Sequence, residues 1–368
     1  MRKRAFAVAA YGLAALLTLS ACGDDGGSGT TGGGTSPQPS SAKPTGKVGV
    51  ILPDTQSSAR WETADRPLLK AAFDAAGVEV DIQNAQNDKG KMATIADSMI
   101  ASGVKVLIIT NLDSPSGAQI QGKAKDAGVK TIDYDRLTLG GSADYYVSFD
   151  NVKVGELQGE GLVKCLGDKA NAGIIQLHGS PTDNNATLFK QGYQSKLDPK
   201  FSEGWKKLGE QAVPGWDNAQ AGVIFEQLLT KSGGKVDGVL AANDGLGNAA
   251  ITILKKNGLQ VPVTGQDATV QGLQNILRGD QCMTVYKAIK KEADGASRLA
   301  IALIKGEKAE TNGETEDATG KRKVPSVLLE PEAITKENVK KVVDDGFVKK
   351  EELCTGDVAK LCTAAGIS

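Results

Sequence analysis

Histidine is nearly missing: His178 is the only one in 368 residues. A metal centre built on imidazoles has no second ring to draw on, and a Ser-His-Asp hydrolase would have to use this one position. No Cys-x-x-Cys occurs, so the common thiolate zinc pattern is also missing. No long basic run occurs, and 43 Lys and Arg stand against 44 Asp and Glu for a net charge of −1. That balance argues against a nucleic-acid partner, whose phosphates call for a basic stripe. After the first strand-like run the chain reads Pro53-Asp54-Thr55-Gln56-Ser57, where a dinucleotide-cofactor enzyme would carry G-x-G-x-x-G. Beyond the N-terminus no apolar run is long enough to span a bilayer. No metal and no cofactor is implied.

The N-terminus reads as an export signal. Arg2-Lys3-Arg4 is a positive start, Ala5 to Leu19 is apolar but short for a membrane span, and Leu19-Ser20-Ala21-Cys22-Gly23 has the form of a bacterial lipobox. Residues 1–22 are therefore expected to be a lipoprotein signal peptide, with Cys22 the lipidated residue of an exported chain held at the outer face of the cell membrane. Residues 23–46 are rich in Gly, Ser, Thr and Pro and hold no large apolar side chain, a flexible linker that cannot bury enough surface to fold. A tether of that length reaches about 25–30 Å.

Setting Cys22 aside leaves Cys165, Cys282, Cys354 and Cys362, an even number in an oxidising compartment. Of the three pairings these allow, Cys354–Cys362 is favoured because the two are close in sequence, together with Cys165–Cys282.

From Lys47 on, short β-rich runs alternate with helical ones. Strands are expected at Val48–Leu52, Val78–Ile82, Val104–Ile109, Val129–Ile132, Tyr145–Phe149, Gly173–Leu177, Lys207–Val213, Val236–Ala241, Val263–Gly265 and Met283–Tyr286, with helices between them. Such alternation gives parallel sheets with right-handed crossovers, and two doubly wound lobes suit this many strands better than one sheet. Pro67 lies inside the first helical pattern, so that helix starts near Asp65 or has a distorted first turn. The polar, charged stretch Glu307–Lys323 reads as a surface excursion.

The polar groups collect where strands end, which is where open parallel sheets bind ligands. Trp61 and its neighbours follow the first strand. Asp135 and Arg136 follow the fourth, Asp183 to Asn185 follow Gly173–Leu177, and Trp216 follows the next. Asn243-Asp244, Gln266-Asp267 and Lys287 follow later strands. Asp and Asn at such points also cap helices. Taken together, indole faces with Asp, Asn, Arg and Lys at matching ends of two sheets suit a cleft for a neutral polyol, since rings stack on C–H faces and ionic groups make the stronger hydrogen bonds to hydroxyls.

At these positions the chain resembles bacterial D-xylose-binding proteins, sugar-specific periplasmic-binding-protein-like members of the ribose-binding type. The matching stretches are Ala59-Arg60-Trp61, Tyr134-Asp135-Arg136, Ser148 to Gln158, Gly179 to Ala186, Asn243-Asp244, Gly265 to Ala268 and Met283 to Lys287. The resemblance implies a type I periplasmic-binding-protein fold, α/β, with two Rossmann-like lobes joined by three hinge crossovers. It divides the body into a first lobe of 47–148 and 288–323 and a second of 149–287 and 324–368. It implies hydroxyl contacts from Arg60, Asp135 and Arg136 in the first lobe and from Asp183, Asn185, Asn243, Asp267 and Lys287 in the second, with Trp61 and Trp216 against the sugar ring. The chain departs from that pattern in the loop Pro53 to Ser58, at His178 and at Asp133, which are expected to border the pocket.

The function implied is that of a sugar receptor for an ABC importer: a monomer that takes a monosaccharide and works with a membrane permease and its ATPase. A role alongside a membrane sensor is compatible with this. A glycosidase could be drawn with Asp183 and Asp267 as its carboxylates. The nearby Arg and Lys groups favour ionised acceptors instead, so no catalytic residue is assigned.

Overall fold

The computed structural model describes residues 45–367. The expected signal peptide, Cys22 and nearly all of the expected linker lie outside the described residues. The first half follows the strand–helix alternation: β1 (Lys47–Leu52), α1 (Arg66–Ala76), β2 (Glu79–Asn84), α2 (Lys89–Ala101), β3 (Val106–Ile109), α3 (Ser114–Asp126), β4 (Lys130–Tyr134) and β5 (Tyr145–Phe149). Then come α4 (Asn151–Leu166), β6 (Gly173–His178), α5 (Asn184–Ser202), β7 (Lys206–Ala212), α6 (Asn218–Lys231), β8 (Gly238–Ala241), α7 (Asp244–Lys256), α8 (Val270–Arg278) and β9 (Thr284–Tyr286). The remainder is α9 (Ile289–Lys305), β10 (Gly313–Asp317), β11 (Arg322–Leu329), β12 (Glu332–Ile334), α10 (Lys340–Asp344), α11 (Lys350–Leu353) and α12 (Val358–Ala364).

Among the described residues the first lobe is a seven-stranded sheet in the order β10-β11-β5-β4-β3-β1-β2. Its central strands are apolar throughout, as a sheet covered on both faces requires; Val106 to Ile109 are all fully buried. One layer sets Val50, Ile108 and Val147 against Leu69 and Phe73 of α1 and Ala296 and Leu299 of α9. The other sets Ile51, Leu107 and Ile109 against Met92 and Met99 of α2 and Ile120 of α3. The second lobe has the order β7-β6-β8 and a separate antiparallel pair, β12-β9. Its core joins Ile174, Ile175 and Leu177 to Phe189, Phe225, Leu240 and Leu254.

Four expectations are corrected. Residues 263–265 form no full strand. Val263 makes a single parallel bridge to Val239, and the segment links β8 to β9 through Thr264 N–H to Val239 O and Val285 N–H to Gly265 O. The excursion at 307–323 holds a strand: β10 pairs antiparallel with β11 through Gly313↔Ser326 to Asp317↔Arg322. Its sequence, Gly-Glu-Thr-Glu-Asp, is that of a solvated edge, so no apolar alternation marks it. Third, β11 pairs with β5 through Leu329↔Phe149, so the chain stays in the first sheet to Leu329 and exchanges lobes there, not at 324. The first exchange likewise falls after Phe149. Finally, β10 and the β9–β12 pair make the sheets mixed and not wholly parallel.

Pro67 is accommodated in both of the ways anticipated. Trp61–Asp65 form one π-helical turn, and α1 begins at Arg66 with Pro67 in its first turn. Both favoured disulfides are present, with Cα–Cα distances of 6.5 Å for Cys165–Cys282 and 5.8 Å for Cys354–Cys362. No helix among the described residues is long and apolar enough to cross a membrane.

Candidate functional site

All ten sequence-selected ligand positions, from Arg60 to Lys287, line one cleft between the lobes, with about 320 Å³ of empty space.

The first-lobe wall is built from the loop after β1. Asp54 accepts the N–H of Gln56 at 2.8 Å and of Ser57 at 2.6 Å, and the Ser57 hydroxyl at 2.9 Å. It is a turn residue that fixes the loop, as Asp does when it bonds backbone just ahead of it. Ser57 Oγ then accepts the indole N–H of Trp61 at 3.1 Å. The π turn matters here, because its wider repeat brings residues five apart onto one face. Arg60 therefore meets Asp65 with two bonds, Nε to Oδ2 at 2.9 Å and Nη2 to Oδ1 at 2.7 Å. Its Nη1 donates to Asp135 Oδ2 at 2.8 Å, and its Nη2 donates also to Glu292 Oε2 at 2.6 Å. This leaves a single Nη1 N–H without a protein acceptor among the described residues. Burial opposes the charge on Arg60, but Asp65, Glu292 and Asp135 overcome it and hold the guanidinium well above its ordinary pKa. Arg60 is thus chiefly a scaffold for Asp135. The guanidinium carbons of Arg60 and Arg136 lie 4.4 and 5.6 Å from the Trp61 ring centroid, within cation–π range.

The second-lobe wall starts at Gly179, where β6 ends. The Trp216 ring lies so close to Gly179 that any Cβ there would overlap it. Asp183 caps α5 through the N–H of Asn185 at 2.9 Å, and its other oxygen accepts the Trp216 indole N–H at 3.1 Å. That same oxygen lies 3.1 Å from Arg136 Nε across the cleft. Phe189 meets the Trp216 ring edge to face at 6.4 Å. Asn243 caps α7 through the N–H of Leu246 at 2.9 Å. Lys287 stands between Asp267 Oδ1 at 3.2 Å and Asp135 Oδ2 at 3.8 Å. Burial raises the Asp135 pKa, but Lys287, Arg60 and Arg136 outweigh it and the net shift is downward, so Asp135 is an ionised acceptor.

Asp183 and Asp267 each lie against a cation, Asp183 at Arg136 Nε and Asp267 at Lys287 Nζ. Two expected border positions lie elsewhere. His178 is not among the lining residues: its Nδ1 meets Tyr193 Oη at 2.5 Å, its Nε2 meets Glu210 at 3.0 Å, and burial lowers its pKa to about 4. Asp133 is held by Gln121 and Thr138 below the sheet end, where burial raises its pKa to about 7. Both side chains are engaged by neighbours within their own lobes.

Ser57 and Ser58, from the loop expected to border the pocket, line it, and two further lining residues, Phe189 and Gln266, were not selected from sequence. Gln266 adjoins the selected Asp267, and its Oε1 is buried without a partner among the described residues. Asp65 and Glu292, behind the wall, were also missed. The available signal for Glu292 was a carboxylate on the buried face of α9, between Ile289 and Ala293.

The order of strands and the cleft between lobes define a bilobal binding protein of the periplasmic type. The model of the periplasmic binding protein domain matches residues 48–308. A D-xylose-binding periplasmic protein of Haemophilus influenzae is 37% identical over 311 residues, covering 83% of this chain and 92% of the relative. A multiple sugar-binding periplasmic protein of Azospirillum brasilense is 37% identical over 334 residues, 85% of this chain and 92% of the relative. Among solved structures, an ABC transporter solute-binding protein from Clostridium phytofermentans, with bound β-D-glucose, superposes with a TM-score of 0.76 at 28% identity, over 83% of this chain and 99% of that one. The chain belongs to the periplasmic binding protein family, and it is a binding protein, not an enzyme.

Proposed function

We propose that this chain binds one monosaccharide, D-xylose or a closely related aldose, between two lobes that close on it, and hands it to an ABC importer. The coarse part follows from the family: the chain is a periplasmic sugar-binding protein of the ABC-importer kind. The observation that carries the finer reading is the composition of the cleft. Trp61 and Trp216 supply apolar faces, while Asp135, Asp183 and Asp267 alternate with Arg60, Arg136 and Lys287 around one buried space. Acceptors and donors in that mixture suit a ligand that is neutral and hydroxylated on every side. Anchoring by lipid on Cys22, a flexible linker over 23–46 and a monomeric state complete the proposal; they rest on the sequence alone.

Calorimetry with a panel of pentoses and hexoses tests the sugar. We expect D-xylose or a near relative to bind with a Kd of about 1 μM or tighter, roughly −8 kcal/mol. Silence across the panel would remove the reading. Incorporation of labelled fatty acid that is lost in Cys22→Ser tests the anchor.

A further inference from the structure

Behind the pocket, at the first crossover, a set of neutral polar groups converges on one backbone carbonyl. Asp135 O accepts the Ser148 hydroxyl at 2.8 Å, the Tyr146 hydroxyl at 3.0 Å and Asn185 Nδ2 at 2.9 Å. Ser148 and Tyr146 lie on β5 of the first lobe, and Asn185 lies on α5 of the second. Asp135 reaches this position with φ +63°, a left-handed backbone that an Asp tolerates better than most residues. Asn185 Nδ2 also bonds Asp135 Oδ1 at 3.1 Å, so both of its N–H groups are engaged by one first-lobe residue.

What orients Asn185 is Asn151. Its Nδ2 donates to Asn185 Oδ1 at 3.0 Å and lies 3.3 Å from both Tyr146 Oη and Ser148 Oγ. Turning the Asn185 amide over would set N–H against N–H here and oxygen against oxygen at Asp135. Asn151 is not needed as a cap, since Asp150 caps α4 through the N–H of Lys153. It is buried, outside the pocket lining, on the first residue of α4 after the chain changes lobes.

We propose that Asn151 is a positioning residue that presets Asn185 to latch onto Asp135, and so raises the share of receptor that stands closed before sugar arrives. The inference rests on the two-lobe sugar-receptor reading. A receptor's apparent affinity scales with its binding-competent fraction, so Asn151, outside the pocket lining, still changes Kd.

The test is Asn151→Ala, with Ser148→Ala as the second variant, in a full chain spin-labelled at two exposed positions, Thr94→Cys in the first lobe and Val223→Cys in the second. We expect both variants to shift the ligand-free distance distribution toward larger separations. Kd for D-xylose should rise by about tenfold in Asn151→Ala, and saturating sugar should restore the parent distance. Parent-like ligand-free distances together with a parent-like Kd in either folded variant would overturn the proposal. Should Asn151→Ala not fold, Ser148→Ala decides, because its hydroxyl donates to Asp135 and faces Asn151. Should the parent bind no sugar, that outcome counts against the receptor reading, while the ligand-free distances still decide the latch.

Discussion

Trp216 and Asp183 are tied together: the indole N–H donates to Asp183 Oδ2 at 3.1 Å, and the same oxygen faces Arg136 Nε from the opposite lobe at 3.1 Å. One carboxylate thus sets the tilt of an aromatic wall and a contact between lobes. Trp216→Ala removes the wall and leaves Asp183 short of a donor. We expect it to weaken sugar binding by about 1.5–3 kcal/mol, read by calorimetry, and to lower the urea midpoint as well, because the ring is buried in the second lobe's core.

Gly179 allows that wall to stand where it does. In Gly179→Ala the new Cβ overlaps the Trp216 ring, which must move. Overpacking of this kind costs about 1–3 kcal/mol. The expected readout is a changed Trp fluorescence together with weaker sugar binding. Unchanged affinity would mean that the ring position is immaterial to the ligand.

Arg60 is expected to act mainly on the fold. It faces Asp65, Asp135 and Glu292, all buried, and removing it leaves the Asp65 and Asp135 carboxylates without their shared cation and the Glu292 carboxyl without its partner. Arg60→Ala should lower global stability by about 3–5 kcal/mol. Denaturant unfolding distinguishes this from a lost ligand contact, which would reduce affinity and leave stability alone.

Glu292 gives the fold a pH dependence. Burial raises its pKa to about 8, while Arg60 pulls the other way. The unfolded carboxyl has a pKa near 4.5, so across the window from there to about 8 the native state holds a proton that the unfolded state has lost. Its contribution to stability is fully present below that window and falls as pH rises through it. Asp133, raised to about 7, and Asp244, raised to about 6, act with the same sign over narrower windows. Glu292→Gln is neutral throughout, so its thermal midpoint relative to the parent should climb as pH goes from about 5 to about 8. A constant difference would show that Glu292 is ionised over that range in the folded protein.

The alternation of strands and helices was legible because each lobe's central strands are apolar on both faces, as at Val106 to Ile109. The pocket positions were legible because the chemistry lies at strand ends, where Asp183 and Asn243 double as caps. The ionic layer behind the wall was hidden. Arg60 looks like a ligand group in sequence, and only the π turn shows that Asp65 takes two of its N–H groups. Glu292 belongs to a different part of the chain and comes close only through the second crossover. The polar hairpin β10–β11 was hidden for a simpler reason: an edge strand facing water needs no apolar face. His178 looked like a pocket border because it ends β6, yet it is engaged by Tyr193 and Glu210.

The central claim is that the ten residues from two lobes form one site for a neutral monosaccharide. Calorimetric titration of the parent and of Asp267→Ala with D-xylose tests it most directly. Asp267 pairs with Lys287 at 3.2 Å and faces the cleft. We predict one site per chain in the parent and a loss of about 1.5–3 kcal/mol in the variant, with the fold intact. Equal binding by parent and variant, or no heat from any aldose, would contradict the account.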